Sequence, residues 1–203
     1  MIGIIDYGMG NLGSVKKKLD RIGAESVISS KPDVLAACKK LILPGVGHFG
    51  MAVEELKERE LWDFLHESVL AEKKPILGIC LGMQLMAASS EEGDAEGLGW
   101  INGKVVRFDL DNTVRHKIPH MGWNSVTIEK KSELFNGLPP DAQFYFVHAY
   151  HMVCRDDTDV LNKTDYGKTF VSAVQKENII GVQYHPEKSH DAGELLLRNF
   201  VFS

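Results

Sequence analysis

The first half of the chain alternates short apolar runs with longer amphipathic segments. The apolar runs predict four strands, at residues 2–5, 27–28, 41–43 and 75–79, and Pro44-Gly45 is expected to break the third. Helices are predicted at 12–22, at 51–70 in one or two pieces, and at 81–88. The first helix is the clearest, because its apolar residues have helical spacing and a capping glycine follows them: Leu12, Val15, Leu19, Ile22 and then Gly23. Buried strands between amphipathic helices are typical of a parallel sheet covered on both faces.

The second half of the chain has a different pattern of predicted elements. Short β-type segments separated by turns are predicted at 104–108, 124–128, 143–147, 170–174 and 179–183, and a last helix runs from about residue 191 to the end. The predicted fold class is therefore α/β, with a mostly parallel central sheet flanked by helices and antiparallel strands added at one edge. No linker is visible, so residues 1–203 are expected to form one domain.

Composition and charge exclude several classes of protein. The net charge of −5, from 23 Lys+Arg and 28 Asp+Glu, disfavours a nucleic-acid partner, because phosphate neutralisation needs a clustered basic surface. Three cysteines without CxxC spacing disfavour a disulfide framework and a zinc site. The chain does not begin like a signal peptide, and its apolar runs are shorter than the roughly 18 residues of a membrane helix. We therefore expect a cytoplasmic protein that has no membrane partner, no metal and no cofactor.

A cysteine between glycines is the strongest chemical signal. Cys80 stands in Gly78-Ile79-Cys80-Leu81-Gly82, between a predicted strand and a predicted helix. Such a strand–turn–helix elbow lifts a nucleophile clear of the sheet, and its glycines leave room where side chains would clash. A thiol at a helix N-terminus is also favoured as the thiolate. The alternative is a buried structural cysteine between glycines that serve close packing.

His185 is the candidate base for such a thiol, which needs a base and a group that orients it. It follows the predicted strand at 179–183 and precedes Pro186-Glu187. Proline keeps the preceding residue extended, and residues i and i+2 of an extended chain project to the same side. Glu187 could thus orient the imidazole, which predicts a Cys80/His185/Glu187 triad. Alone, the same tripeptide would indicate only a turn at a strand end.

Two glycine-rich segments need separate interpretations. Gly45 and Gly47 follow a predicted strand and could present bare backbone N–H groups to an oxyanion, although a tight turn explains them equally well. His48, next to them, is interpreted as a surface or capping residue.

Residues 8–13 match the G-x-G-x-x-G pattern of dinucleotide-binding loops. Nucleotide binding is disfavoured, because the nearest acidic residue, Asp33, lies past the second strand at the start of a predicted helix.

The motifs around Cys80 and His185 together resemble those of class I, triad-type glutamine amidotransferases. The motifs are Gly78-Ile79-Cys80-Leu81-Gly82-Met83-Gln84 and His185-Pro186-Glu187. Residues 6–12, 44–47, 119–124 and 146–148 narrow the resemblance to the glutaminase subunits of imidazole glycerol phosphate synthases and their close paralogues. The similarity extends over essentially the whole chain, and it implies a flavodoxin-like fold.

The resemblance implies hydrolysis of L-glutamine to glutamate and ammonia. Cys80 would attack the amide carbon, His185 would transfer protons, and Glu187 would orient His185. The oxyanion donors would be the N–H of Leu81 and one from the strand that contains Gly45, Val46 and Gly47, a strand that rearranges when the partner is active. Gln84 would help to hold the glutamine. Cys38 and Cys154 would be structural.

The resemblance also implies a partner. This is a (β/α)₈-barrel cyclase that forms a heterodimer with the glutaminase and uses its ammonia to make imidazole glycerol phosphate and an aminoimidazole carboxamide ribotide in histidine biosynthesis. The positions that match the docking face are Asn11, Met121, Trp123, Tyr145 and Lys188. Taken alone, Trp123 could be an exposed interface anchor or a core side chain.

Three other functions stay open at this point. The chain could be a paralogous subunit that supplies ammonia to another synthase, for example in the amination of bacterial surface sugars. It could be a cysteine peptidase or a related thiol hydrolase, which would account for Cys80 and His185 but not for Gln84. It could also be a catalytically silent scaffold that only binds a partner, although the complete set of triad residues weighs against this.

Overall fold

The computed structural model describes residues 1–110 and 116–203. The helices are α1 (Leu12–Arg21), α2 (Pro32–Ala36), α3 (Phe49–Glu58), α4 (Leu61–His66), α5 (Leu81–Gln84) and α6 (His190–Phe202). A π-helical turn at Glu67–Ala71 follows α4, and 3₁₀ turns lie at Glu133–Phe135, Asp157–Asp159 and Pro186–Lys188. Within the two described ranges, no helix is long and apolar enough to span a membrane.

The strands alternate with these helices at first and then follow one another directly. They are β1 (Ile2–Ile5), β2 (Ser26–Ser29), β3 (Lys40–Gly45), β4 (Ile76–Cys80), β5 (Ala87–Ser90), β6 (Ala95–Glu96), β7 (Ile101–Arg107), β8 (His120–Ser125), β9 (Thr127–Ile128), β10 (Gln143–His148), β11 (Tyr150–Cys154), β12 (Val160–Tyr166), β13 (Lys168–Lys176) and β14 (Ile179–Val182).

One large sheet contains most of these strands. Its parallel part has the order β2-β1-β3-β4-β14. β13 joins β14 in antiparallel orientation, and the sheet continues through β11 and β7 to β5 and β6, with β12 and β9 attached beyond β13. β8 and β10 form a separate antiparallel ribbon. The predicted α/β class, a parallel sheet with helices and with antiparallel strands added at one edge, is confirmed.

The parallel strands are apolar because both of their faces are buried. Leu41 and Leu43 of β3 face one hydrophobic core, and Ile42 between them faces a second core on the other side of the sheet. α1 covers one of these faces with Val15 and Leu19, both buried. Alternation along each strand thus places one layer of helices against each face of the sheet.

The predicted helix at 81–88 is wrong in its second half. α5 ends at Gln84, and β5 begins at Ala87. The carbonyl oxygens of Leu85 and Met86 would accept helical hydrogen bonds in a longer helix. They accept instead the N–H groups of Leu98 (2.7 Å) and Ile101 (2.9 Å). Pairing with a distant segment therefore overrides the local helical preference.

Other boundaries also differ from the prediction. The helical segment at 51–70 has three parts, because Glu60 is left-handed (φ 59°) between α3 and α4 and the π-helical turn follows. β3 continues through Pro44 to Gly45 instead of breaking there. β1 pairs with β3 only as far as Ile42, so at Pro44 the strand β3 is paired with β4 and not with β1. The missing N–H of proline can therefore disturb pairing on one side only, and the strand continues. The strand predicted at 124–128 is divided between β8 and β9, and β11 and β12 were not predicted.

Candidate active site

Cys80 occupies the predicted elbow between β4 and α5. Its backbone is left-handed (φ 55°, ψ −108°), a conformation that is uncommon for any residue other than glycine. The side chain is 6% exposed and lines a cavity of about 300 Å³. A strained turn that directs a thiol into a cavity is the geometry expected of a nucleophile.

The glycines around Cys80 are required by backbone packing. A Cβ atom on Gly78 would lie 2.6 Å from the carbonyl oxygen of Gly82, and one on Gly82 would overlap the carbonyl oxygen of Leu43. A Cβ atom on Gly45 would overlap the Tyr7 hydroxyl. β3, β4 and the first turn of α5 are therefore in direct backbone contact at this point, which fixes the position of Cys80.

His185 and Glu187 lie beside Cys80 because β14 runs parallel to β4 and both strands end at the same edge of the sheet. Nδ1 of His185 lies 2.8 Å from Oε1 of Glu187, and the two side chains are 1% and 2% exposed. Nε2 of His185 is buried and has no hydrogen-bond partner among the described residues. The carboxylate thus holds one ring nitrogen, and the other remains for the thiol.

The protonation of His185 reflects these neighbours. Burial alone would lower the pKa of His185, but Cys80 and Glu187 together outweigh burial and raise it to about 10. The raised pKa favours the protonated, positively charged form of the ring. A buried imidazolium beside a thiol stabilises the thiolate, the form of cysteine that acts as a nucleophile.

Two groups contact the sulfur atom directly. Sγ of Cys80 lies 3.9 Å from the carbonyl oxygen of Val147, and Nε2 of Gln183 lies 3.6 Å from Sγ. Gln183 is completely buried. No sequence pattern indicates this contact, because Gln183 is distant from Cys80 along the chain and belongs to no predicted motif.

Gln84 lines the same cavity, but its amide nitrogen is already engaged. Nε2 donates to the carbonyl oxygen of Tyr150 (2.9 Å) and to Oε1 of Gln183 (3.0 Å). Both N–H groups of the side chain are thus in use, and only its carbonyl oxygen is available to a bound molecule.

The predicted oxyanion segment forms one wall of the cavity. Val46, Gly47 and Leu81 line it, whereas Gly45 lies behind them and pairs with Cys80 in the sheet. Gly47 has φ +120°, which requires glycine, and Val46 is 40% exposed. The N–H of Leu81 belongs to the first turn of α5 and so has no partner within that helix.

Two further residues at the site were missed in the sequence. Glu92 lines the cavity, and its Oε2 accepts the N–H of Phe49 at 2.8 Å. Tyr7 is completely buried, its hydroxyl has no partner among the described residues, and burial, with a smaller contribution from Cys80, raises its pKa. Glu92 stands in no recognised motif, and Tyr7 lies within residues 6–12, which indicated no site role for it, so only the fold places both side chains at the site.

The five predicted docking residues lie outside the cavity, and four of them lie on β8, on β10 and on the 3₁₀ turn at Pro186–Lys188. Trp123 is 44% exposed and stacks on His190 with 4.8 Å between ring centres, so the core alternative is wrong. Met121 is 61% exposed. Tyr145 pairs with Trp123 across the ribbon, and Nζ of Lys188 lies 5.7 Å from its ring centre. The fifth, Asn11, is exposed and caps α1 by accepting the N–H of Ser14.

The remaining cysteines and His48 have structural environments. Burial raises the pKa of the Cys38 thiol, and burial together with nearby aspartates raises that of Cys154 to about 12. Both thiols are free, and a raised pKa makes them poor nucleophiles. His48 is the N-cap of α3, where its ring accepts the N–H of Met51, as the sequence predicted.

Known sequences resemble this chain along nearly its whole length. The family described as "Glutamine amidotransferase class-I" matches residues 3–203. The imidazole glycerol phosphate synthase subunit HisH of Sulfurimonas denitrificans is 52% identical over 205 residues, which cover 99% of this chain and 97% of that protein. The subunit HisH 2 of Methanococcus maripaludis is 51% identical over 201 residues, which cover 99% and 98%.

Solved structures show the same architecture. One described as a glutamine amidotransferase has a TM-score of 0.73 at 22% identity and covers 98% of this chain and 96% of its own. A chain in the structure of PurLQS from Thermotoga maritima has a TM-score of 0.72 at 18% identity, with coverage of 98% and 96%. At such low identity the likeness concerns the fold alone.

Proposed function

This chain belongs to the class I glutamine amidotransferases, and from that premise we propose that it hydrolyses L-glutamine to glutamate and ammonia as the glutaminase subunit of an imidazole glycerol phosphate synthase. One observation carries the proposal. A cysteine on a strained elbow and a histidine held by a buried carboxylate meet at the ends of two adjacent parallel strands. The relatives named as subunit HisH match over the full chain and support the specific assignment.

The chemistry proceeds by covalent catalysis. The Cys80 thiolate attacks the side-chain amide carbon of glutamine and forms a tetrahedral intermediate. His185, positively charged beside the thiolate, donates its Nε2 proton to the departing nitrogen, which leaves as ammonia, and a glutamyl thioester remains on Cys80. His185 then takes a proton from water, and the resulting hydroxide attacks the thioester carbon. The carbon–sulfur bond breaks, glutamate is released, and Cys80 returns to the thiolate. Glu187 holds Nδ1 throughout, so that Nε2 always faces the reaction.

The wall of the cavity supplies the remaining functions. The N–H of Leu81, with one N–H of the segment from Gly45 to Gly47, binds the negative oxygen of the tetrahedral intermediate. The carboxylate of Glu92 attracts the α-ammonium group of glutamine, and the carbonyl oxygen of Gln84 accepts a hydrogen bond from the substrate. These roles fit a cavity whose lining combines backbone donors with a carboxylate.

The fate of the ammonia implies a partner. Free ammonia in neutral water is mostly ammonium, which is a poor nucleophile. Ammonia is therefore used efficiently only if it passes directly to an acceptor enzyme that is bound to this subunit. We propose that this acceptor is a (β/α)₈-barrel cyclase and that it docks on the face that carries Met121, Trp123, Tyr145 and Lys188. Exposed aromatic and apolar side chains on this face support the assignment.

Release of glutamate and ammonia from L-glutamine, measured with and without the cyclase, tests the proposal. We expect hydrolysis by the wild-type chain to increase when the cyclase is added, and we expect none from Cys80→Ala. Stimulation only by a synthase that aminates sugars would assign the chain to a paralogous pathway. Cleavage of peptides without hydrolysis of glutamine would contradict the proposal.

A further inference from the structure

The side-chain amide of Gln183 contacts the sulfur of Cys80 from the neighbouring chain segment, which follows β14. Val182 of β14 pairs with Ile79 of β4, so the next residues along the two strands, Gln183 and Cys80, are neighbours at the same sheet edge. The side chain of Gln183 is completely buried, and its Nε2 lies 3.6 Å from Sγ. This distance suits a hydrogen bond to sulfur, which is a larger atom than oxygen.

The orientation of the Gln183 amide is fixed by a chain of hydrogen bonds. The carbonyl oxygen of Tyr150 can only accept, so the end of Gln84 that faces it at 2.9 Å must be the NH₂ group. The same NH₂ group also faces Gln183 at 3.0 Å, where it requires an acceptor, so that end of Gln183 must be its oxygen. The end of Gln183 that faces Cys80 is therefore the NH₂ group. Reversing either amide would leave two donors or two acceptors facing each other.

An N–H group aimed at sulfur has a definite chemical consequence. A thiol can donate to the Val147 carbonyl oxygen, whereas a thiolate has no proton to donate and only accepts. A donor at the sulfur therefore favours the thiolate, and hydrogen bonds to charged groups are stronger than those between neutral groups. We propose that Gln183 donates a hydrogen bond to the Cys80 thiolate, and that Gln84 is a positioning residue that acts through Gln183 by holding its amide in this orientation.

The proposal assigns a role to Gln84 beyond contact with glutamine, and it rests on the proposed function through the identification of Cys80 as the nucleophile. Other titratable groups near Cys80 are His185, Tyr7, His148 and Glu92. Substitution of Gln183 leaves all four in place. A change in thiolate formation in such a variant is thus attributable to the amide.

The test is the pH dependence of Cys80 alkylation by iodoacetamide in the full chain, followed by peptide mapping. The reaction forms a carbon–sulfur bond, expels iodide and needs no glutaminase activity, so it can fail or succeed independently of the proposed function. In Gln183→Met we expect the pH midpoint of alkylation to rise by about one unit and the rate below the midpoint to fall about tenfold. The matched control Gln143→Met, at an exposed glutamine, is expected to match the wild type.

Gln84→Met leaves Gln183 present but releases its amide, and a smaller shift in the same direction is expected. This variant also decides the question if Gln183→Met does not fold. If neither folds, the side-chain amide resonances of Gln183 in the wild type are expected to move with pH at the alkylation midpoint and to stay constant in Cys80→Ala. An unchanged midpoint in a folded variant, or resonances that do not respond to Cys80, would show that Gln183 serves packing alone.

Discussion

Gly82 is packed directly against Leu43, so closely that a Cβ atom on Gly82 would overlap the Leu43 carbonyl oxygen. The contact joins the helix that follows Cys80 to the strand that leads into the proposed oxyanion segment. Since the obstacle is backbone, it cannot be relieved by a change of rotamer. This glycine therefore fixes the position of the proposed nucleophile, Cys80, relative to the proposed oxyanion segment.

Replacing Gly82 tests this contact. We expect Gly82→Ala to lower the free energy of unfolding by about 3 kcal/mol, as overpacking of a close contact does. We also expect a loss of glutaminase activity of at least 100-fold, because Cys80 must move relative to β3. Chemical denaturation and a glutamate assay measure both. The matched control is Gly13→Ala at an exposed position of α1, where the added Cβ meets no atom within 4 Å beyond its own helical backbone and chain neighbours, and stability is expected to rise slightly.

The pairing of His185 with Glu187 predicts a specific kinetic defect. Gln at position 187 keeps the shape but cannot hold the imidazolium by charge, so Glu187→Gln is expected to lower kcat by about 10²–10⁴-fold and to change KM only slightly. It is also expected to move the upper pH limit of activity downward, because Glu187 helps to raise the pKa of His185. Glu177→Gln, at an exposed carboxylate paired with Lys73, is the control. Equal kcat in Glu187→Gln and the wild type would show that Glu187 takes no part in the mechanism.

Burial of His151 is expected to make the free energy of unfolding depend on pH. Burial lowers the pKa of His151 to about 4, whereas the unfolded side chain takes up a proton near 6.5. The unfolded state therefore binds more protons between these values, and the free energy of unfolding falls as the pH drops from about 6.5 to about 4. In His151→Leu this fall is expected to shrink by up to about 3 kcal/mol. Urea denaturation at several pH values measures it.

The control for His151 is His48→Asn, which removes an exposed histidine but keeps an N-cap acceptor. Its pH dependence is expected to follow the wild type. If His151→Leu also keeps the wild-type slope, the folded His151 takes up its proton as easily as the unfolded one, and the assigned cause is wrong.

If the proposed cyclase docks where Trp123 lies, the exposed side chain of Trp123 should contribute to the strength of that association. An exposed tryptophan stacked on a neighbouring ring is preorganised to bury its surface in a partner. We expect Trp123→Ala to weaken binding of the cyclase at least tenfold while the unfolding temperature stays near that of the wild type. Phe202→Ala, at a more exposed aromatic residue at the far end of α6, is expected to bind normally. Normal binding by Trp123→Ala would place the interface elsewhere.

The sequence could predict those parts of the site that depend on local patterns. The elbow at Cys80 and the proximity of His185 to Glu187 follow from glycine spacing, a proline and the geometry of an extended chain. Gln183, Glu92 and Tyr7 could not be predicted, because only the lateral order of the strands and the packing of the turns bring them to Cys80. The early end of α5 has the same origin, since its cause is hydrogen bonding of Leu85 and Met86 to residues 98 and 101.

The most direct test of the account is to identify the residue that carries the glutamyl group during turnover. The chain, mixed with the proposed cyclase, is incubated with L-glutamine and quenched rapidly with acid, and its peptides are analysed by mass spectrometry. We predict a glutamyl group on the peptide that contains Cys80, and no glutamate from Cys80→Ala. A glutamyl group on Cys38 or Cys154, or glutamate production by Cys80→Ala at the wild-type rate, would contradict the account.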